Sequence, residues 1–334
     1  MASLDECKVS VIVGIYNSGD YLRDGLESLA KQTWKNIEVI MIDDGSTDIS
    51  AYICDEYAER DQRFIAIHKV NSGVCDSRNQ GLRIATGDYV CFMDGDDWVC
   101  DDYVEYLMHL ILSTNTKMAL SDKVFTSVDR TQIKKDSIEI WNVERAISNI
   151  IYPYMTYGPW NKIYSMDVIR NNNITFPNHW FGETMHFASD VAYYSGEVSV
   201  GHRKIYNYRT NNTNSGTSRF SVESRLLSID NCTKLREKEF YDNPRIKRAI
   251  EWHIYDNHFV LIVNIIGSGL LNEYKNEFLN AQKYLKHNWI GVLWNSEVNI
   301  KRRIKIIIEA FFPVILANMM VIKKQSGLNF NERI

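Results

Sequence analysis

The sequence of 334 residues has no apolar run long enough to cross a bilayer, no closely spaced cysteine pair and no glycine-rich phosphate loop. A spanning helix needs about 20 apolar residues. The longest apolar stretch, residues 306–322, holds 17 and is interrupted by Glu309, Pro313 and Asn318. Cys7, Cys54, Cys75, Cys91, Cys100 and Cys232 form no CxxC and no metal-ligand spacing, so they read as reduced thiols of a cytosolic protein. Met1 to Glu6 lack a basic stretch followed by an apolar one, which argues against a secretory signal. Gly14-Ile15-Tyr16-Asn17-Ser18-Gly19 is followed by Asp20 where a phosphate loop needs lysine, and no GxGxxG follows the first apolar run. That segment also lacks the arginine expected of a nucleotidyltransferase loop. Internal repeats and low-complexity tracts are absent too.

What is there is an ordinary globular composition. Hydrophobic residues make up 45% and charged residues 24%, which indicates neither disorder nor a polytopic membrane protein. The net charge of −4 is unevenly distributed: residues 1–110 carry 21 acids and 9 bases, the remainder 21 acids and 29 bases. An acidic front half suits cations, and a basic back half suits phosphates or an anionic membrane surface. Neither half resembles a nucleic-acid clamp, so no nucleic-acid partner is expected.

The first 110 residues alternate short apolar runs with helical periodicity, the pattern of β-α-β units and a mainly parallel, doubly wound α/β sheet. Strands are predicted at Val9 to Ile15, Ile37 to Ile42, Phe64 to Ile67 and Tyr89 to Met93. Tyr21, Leu22, Leu26 and Leu29 recur at helical spacing; further helices are expected up to about Arg60, near Ser77 to Ala85 and from near Asp101. Between 116 and 220 the signals weaken to short strands, an amphipathic helix near Val143 to Ile150, and the aromatic loops Tyr152-Pro153-Tyr154 and Tyr157-Gly158-Pro159-Trp160. Beyond Ser221 the chain reads as helical. The expected organisation is therefore 1–115 and 116–220 as two halves of one α/β domain, with a helical region at 221–334.

Two acidic turns stand out. Asp43-Asp44-Gly45-Ser46 and Asp94-Gly95-Asp96-Asp97 each close a strand, at the sheet edge where α/β proteins hold ligands. Three carboxylates so close together repel unless a cation, a proton or hydrogen-bond donors offset the charge. A divalent ion bridging to a phosphorylated ligand is one answer; a solvated turn that caps the next helix is the other. A carboxylate at the first turn can accept the N3 proton of uracil, while the second turn can bind ribose hydroxyls and a diphosphate-bound metal. Arg78 and Asn79, opening a helix after Gly73, offer donors to base or phosphate.

Taken in order and spacing, Val9-Ser10-Val11-Ile12-Val13, Tyr16-Asn17, Gln32-Thr33, Asp43-Asp44-Gly45-Ser46-Thr47-Asp48, Arg78-Asn79-Gln80-Gly81, Ala85-Thr86-Gly87-Asp88-Tyr89 and Asp94-Gly95-Asp96-Asp97-Trp98 resemble glycosyltransferase family 2. The resemblance is specific over residues 8–112, thins through Trp160-Asn161-Lys162 and Tyr208-Arg209, and ends near 220. It implies a GT-A fold with a helical extension and inverting transfer of a hexosyl group from a nucleotide sugar, a uridine diphosphate sugar first. The acceptor would be a hydroxyl of a glycan or lipid-linked acceptor in bacterial polysaccharide synthesis, and the cofactor Mn²⁺ or Mg²⁺. By position, Asp44 would face the base, Asp94 the ribose and Asp96 the metal, with Asp43, Gly95 and Arg78 also in the donor site; Lys162 and Arg209, both in loops, would bind the donor diphosphate or a pyrophosphate-linked acceptor.

Relatives usually carry Glu-Asp before a hydrophobic helix, where inversion needs a base; here the stretch is Phe181-Gly182-Glu183-Thr184-Met185-His186-Phe187. A threonine hydroxyl does not accept a proton at neutral pH, so Glu183 is the nearest candidate base and Asp190 the reserve. Gly14 stands where the family usually has proline. His179, His186 and His202 read as structural rather than metal-binding. Trp160 is expected against a sugar ring and Trp98 beneath the metal turn. Apart from catalysis, a catalytically impaired domain that binds nucleotide sugar or a partner is the alternative, motivated by Thr184. The apolar stretch 306–322, between Lys301-Arg302-Arg303 and Lys323-Lys324, fits a helix lying in a membrane interface or one docked on the core. The expected setting is the cytoplasmic face of the cell membrane, with homo-oligomerisation open.

Overall fold

The computed structural model describes residues 7–152, 154–155, 158–177, 182–210 and 220–325. Readings that involve Met1 to Glu6, Pro153, Tyr157, His179 and Phe181 lie outside them. The chain divides into two compact units, one of Met1–Ile147, Met155–Asn178 and Glu183–Asn212, the other of Ser148–Tyr154, His179–Gly182 and Thr213–Ile334.

The first unit opens as an α/β alternation: β1 (Val9–Ile15), α1 (Gly19–Ala30), β2 (Ile37–Asp43), α2 (Ser50–Arg60), β3 (Phe64–His68), α3 (Val74–Ile84) and β4 (Tyr89–Asp94). It continues through β5 (Trp98–Val99), α4 (Tyr103–Thr114), β6 (Met118–Ser121), β7 (Phe125–Thr126), β8 (Glu139–Asn142) and the start of α5 (Val143–Ile151). β9 (Lys162–Ser165), α6 (Met166–Asn171), α7 (Glu183–Ser195), β10 (Glu197–Gly201) and β11 (Tyr206–Tyr208) complete it. Eight strands form one sheet in the order β3-β2-β1-β4-β9-β6-β10-β8, and β5-β11-β7 form a second. β1 to β4 are parallel, whereas β9 runs antiparallel to both β4 and β6. β1 and β2 are near-continuous apolar runs because helices cover both faces of a central parallel strand.

Register then positions the acids. Asp43 lies opposite Ile15 and Asp94 opposite Gly14, so the carboxyl ends of β2 and β4 flank the end of β1. Two strand spacings separate them, roughly 10 Å. The strand order reverses across β1, which makes this edge the crevice of the sheet. Gly25 on α1 permits a close approach here, because a Cβ would lie 2.6 Å from the Asp97 carbonyl oxygen.

Two boundaries depart from the sequence reading. α3 starts at Val74 rather than Ser77, directly after Gly73, whose φ of 93° suits glycine. The helix expected near Asp101 begins at Tyr103.

The second unit is helical: α8 (Val222–Lys234), α9 (Pro244–Ser268), α10 (Lys275–Asn295), α11 (Ile300–Phe311) and α12 (Pro313–Gln325). α9 is apolar on most sides and packs against α8, α10 and α12, as a central helix must. The stretch 306–322 is not one helix: α11 and α12 meet at a bend of 116°. Pro313 explains the break, since its ring disfavours helical geometry at Phe312, which sits at φ −132° and ψ 42°. Among the described residues no single helix is long and apolar enough to span a membrane. No disulfide joins any of the six cysteines.

Candidate functional site

The first acidic turn is fixed by donors from the loop after β3. Asp44 Oδ1 accepts from the Ser72 amide at 2.9 Å, Oδ2 from the Gly73 amide at 2.8 Å, and Lys69 Nζ also bonds Oδ1. A carboxylate has about four lone-pair sites, so these three leave room for one more donor. Lys69 is nearly buried, and although burial alone would lower its pKa, Asp44 and Asp76 raise it and keep the ammonium charged. Asp43 points the other way: it accepts from the Ser46 amide at 3.0 Å and pairs with His68 Nδ1 at 2.9 Å, while His68 Nε2 reaches Asp55 at 3.0 Å. Those carboxylates raise the His68 pKa. Asp43 thus shapes the turn, and Asp44 faces the Lys69-Ser72-Gly73 cradle.

The second turn is tied together by a guanidinium. Arg78 on α3 donates Nη2 to Asp94 Oδ1 at 2.9 Å and Nη1 to Glu183 Oε1 at 3.0 Å, with its Cζ 5.3 Å from the Phe176 ring centroid. Burial would lower its pKa, but the Asp94 and Glu183 charges override that and raise it. Glu183 opens α7, is 8% exposed and also accepts from the Thr184 hydroxyl at 3.2 Å through the same oxygen. An acid at the first turn of a helix meets the positive end of the helix dipole. Asp190 lies farther along α7 and is half-buried.

Asp97 is the buried member of the corner. Burial first, then the neighbouring Asp96 and Asp94 charges, push its carboxyl well above the usual range, against the pull of the Arg209 amide at 2.7 Å and the Tyr206 hydroxyl at 2.8 Å. Asp96 is half-buried, and its carbonyl accepts from Arg209 Nε at 2.8 Å. Gly95 donates its amide to the Gly14 carbonyl at 3.0 Å, locking the turn onto the end of β1. Among the described residues no three His, Cys, Asp or Glu side chains form a group that could hold a metal by themselves. A half-buried carboxylate on a turn nevertheless suits Mg²⁺ or Mn²⁺, hard cations that take one or two carboxylates and fill their shells from water and substrate phosphates.

Several expected residues lie elsewhere. Lys162 is not in a loop: it opens β9, is 1% exposed, and donates to the Gly158 carbonyl at 2.7 Å and Asn161 Oδ1 at 2.6 Å. Burial pulls its pKa down to about 7. Arg209 follows β11 as expected, but it braces the acidic turn and its guanidinium lies over the Tyr21 and Trp98 rings at 4.4 and 4.6 Å. Asn79 exchanges two hydrogen bonds with the Phe176 backbone, which removes it from any ligand. Trp160 is buried, stacked on Tyr206 and Tyr208 rather than open to a sugar, because β11 supplies those rings at 4.3 and 5.4 Å. His202 pairs with Asp122 and Glu139, and His186 is buried on α7.

Lys69, Ser72 and Tyr206 were not singled out by the sequence. The polar run before Gly73 was the available signal for the first two; Tyr206 had none. An open cleft of about 750 Å³, lined by Asp24, Lys31, Trp98, Arg130, Asn207 and Arg209, lies beside the turn.

The comparisons with known proteins agree with this construction. The model of glycosyl transferase family 2 matches residues 10–173. The putative glycosyltransferase EpsH of Bacillus subtilis is 33% identical over 60% of this chain and 60% of its own length, so the match spans about three fifths of that relative. The glycosyltransferase YibD of Escherichia coli is 32% identical over 69% of this chain and 70% of its own. A crystal structure of S. aureus TarS 1–349 in complex with UDP-GlcNAc superposes with a TM-score of 0.68, covering 97% of this chain and 93% of that one at 21% identity. Strand order, acidic turns and relatives together place the chain in glycosyltransferase family 2, with the GT-A fold.

Proposed function

We propose that the protein transfers a hexosyl group from a nucleoside diphosphate sugar to a hydroxyl of a glycan or lipid-linked acceptor, with inversion at the anomeric carbon and with divalent metal. The observation that carries this reading is the Arg78 bridge, which brings the last residue of β4 and the first residue of α7 to one guanidinium. A ligand acid and a candidate base are thereby held on one side of the sheet edge.

The residues divide the work as follows. Asp44, with one lone-pair site in hand, accepts the N3 proton of a uracil ring, which makes a uridine nucleotide the first donor to test. Asp94 offers its second oxygen to the ribose while Arg78 holds the first. Asp96 is the residue that would hold Mg²⁺ or Mn²⁺. Such an ion supplies charge stabilisation to a departing diphosphate. Glu183 keeps Oε1 on Arg78 and presents Oε2 to the acceptor hydroxyl. As the acceptor oxygen bonds to the anomeric carbon, its proton passes to Glu183 and the bond to the diphosphate oxygen breaks; the diphosphate carries away the electron pair. General-base catalysis of this kind is worth about 10² to 10⁴ in rate. Asp190 is the second choice for the base. The TarS complex with UDP-GlcNAc supports a nucleotide sugar as donor by analogy of fold.

Nucleoside diphosphate release over a donor panel, with Mn²⁺ or Mg²⁺ and glycan and lipid-linked acceptors, tests the proposal. Release is expected to vanish in Asp96→Ala. Glu183→Gln should lower kcat by about 10² to 10⁴ with little change in donor KM; equal kinetics would remove Glu183 from the role. Tight nucleotide-sugar binding without turnover across the panel would favour the impaired binding domain, a reading that the Glu183–Arg78 ion pair and Thr184 motivate.

A further inference from the structure

Helices at a protein surface ordinarily turn polar residues outward. α11 and α12 do the reverse. On α11, Ile300, Ile304, Ile307 and Phe311 recur at helical spacing and are 70%, 53%, 41% and 52% exposed. The opposite face, Ile306, Glu309 and Ala310, is buried. On α12 the exposed apolar positions are Ile315, Met319 and Ile322, with Asn318 exposed among them, and the buried positions are Pro313, Ala317 and Val321. Each helix has therefore satisfied its core with one side and carries a second apolar side outward. Phe312 joins the two at the bend and is 58% exposed. Scattered apolar residues on a surface need no explanation, but a contiguous patch built on two helices marks a site of interaction.

Charge selects the partner. Residues 300–325 contain Lys301, Arg302, Arg303, Lys305, Lys323 and Lys324 against a single acid, Glu309. Arg303 donates to the Val298, Leu293 and Ser296 carbonyls and Lys305 pairs with Asp256 and Glu309, while Lys301 at one outer end of the bent pair and Lys323 at the other are exposed; no charged residue falls between Glu309 and Lys323, across the tip. Two copies of such a surface would repel each other. An anionic bilayer would attract the basic ends and accept the apolar tip.

We infer that the α11–α12 elbow is a membrane-docking surface that inserts Phe311, Phe312 and Ile315 into the acyl boundary of an anionic bilayer while its basic ends meet the headgroups. Trp289 on α10 packs against Phe311 with ring centroids 5.2 Å apart and supports the tip from behind. The inference goes beyond sugar transfer and stands without it, since it uses none of the residues of the candidate site. It concerns an elbow lying on the bilayer, not a segment crossing it.

Flotation of the full-length protein with vesicles of phosphatidylcholine alone, or doped with phosphatidylglycerol, tests it. The protein is expected to float with the doped vesicles and to be released in part by salt. Phe311→Ser and Ile315→Ser, both at exposed positions, should each lower the partition about tenfold, with unchanged circular dichroism. Lys301→Glu combined with Lys323→Glu should weaken binding to doped vesicles alone. Protein that stays in the aqueous fraction with both vesicle types, or serine variants that partition like the parent, would overturn the proposal. So would sedimentation velocity showing a dimer that these serine substitutions dissociate, which would assign the face to self-association. Turnover of a water-soluble acceptor is expected to be the same in parent and serine variants, so failure to float and failure to catalyse are separate outcomes.

Discussion

Two buried cations in the first unit show how differently a positive charge is treated. Arg78 keeps its charge because two carboxylates meet its two arms, and a planar guanidinium suits such two-sided contacts better than an ammonium. Lys162 instead has its pKa lowered to about 7 by burial. Its ordinary value is 10.5. Between these values the unfolded chain binds a proton that the folded chain releases, so stability should increase with pH, by up to roughly 1.4 kcal/mol per unit. Below about pH 7 both states are protonated and this contribution levels off. Urea denaturation from pH 7 to 10 should show that rise in the parent and a flatter profile in Lys162→Met; parallel profiles would mean that Lys162 is charged in the fold. Nothing in the local residue pattern signals this burial. A lysine in a polar-aromatic segment reads as surface, but here it opens β9, which lies inside the sheet between β4 and β6. The places of Asp44, Asp94 and Asp96 were legible because an apolar run that ends at a sheet edge precedes each turn; the contacts of Asn79 and Arg209 were not, because long-range packing decides which way those side chains point.

Elements were read best where one residue pattern admitted one structure. β1, β2 and β4 are short runs with no polar break of consequence, and they form the centre of the sheet as expected. The stretch 306–322 reads as one helix because its three interruptions, Glu309, Pro313 and Asn318, are single residues, yet the proline divides it by acting on the residue before it. α1 illustrates a constraint visible only in three dimensions. Gly25 lies on its buried side, and an added Cβ would sit 2.6 Å from the Asp97 carbonyl and 3.0 Å from Met93 Cε. The methionine end can move, the backbone carbonyl less easily. Gly25→Ala is therefore expected to destabilise by about 1–3 kcal/mol, the usual range for overpacking, and to weaken nucleotide affinity by shifting the acidic turn. Chemical denaturation and titration with uridine diphosphate would check both, and unchanged values would show that the turn yields without cost.

At the scale of the molecule, each unit has buried apolar clusters of its own among the described residues. One lies on the sheet, around residues such as Val11, Leu26, Met41 and Leu107; another surrounds α9, with Tyr255, Phe259, Ile262 and Leu285 buried. Chains with more than one core commonly depart from all-or-none unfolding. Scanning calorimetry is expected to give a calorimetric enthalpy larger than the van't Hoff value, and equality of the two would indicate one cooperative block. The uneven charge noted in the sequence follows the same division, with the acidic corners in the first unit and the basic elbow in the second.

The acidic corner also has a history along the chain. Asp97 takes its side-chain hydrogen bonds from Tyr206 and Arg209, more than a hundred positions downstream. A nascent chain that has emerged only as far as β10 already owns every parallel strand of the central sheet, yet its corner carboxyl has neither donor. Competence to receive a ligand therefore arrives near the end of synthesis of the first unit, after most of the scaffold that frames it.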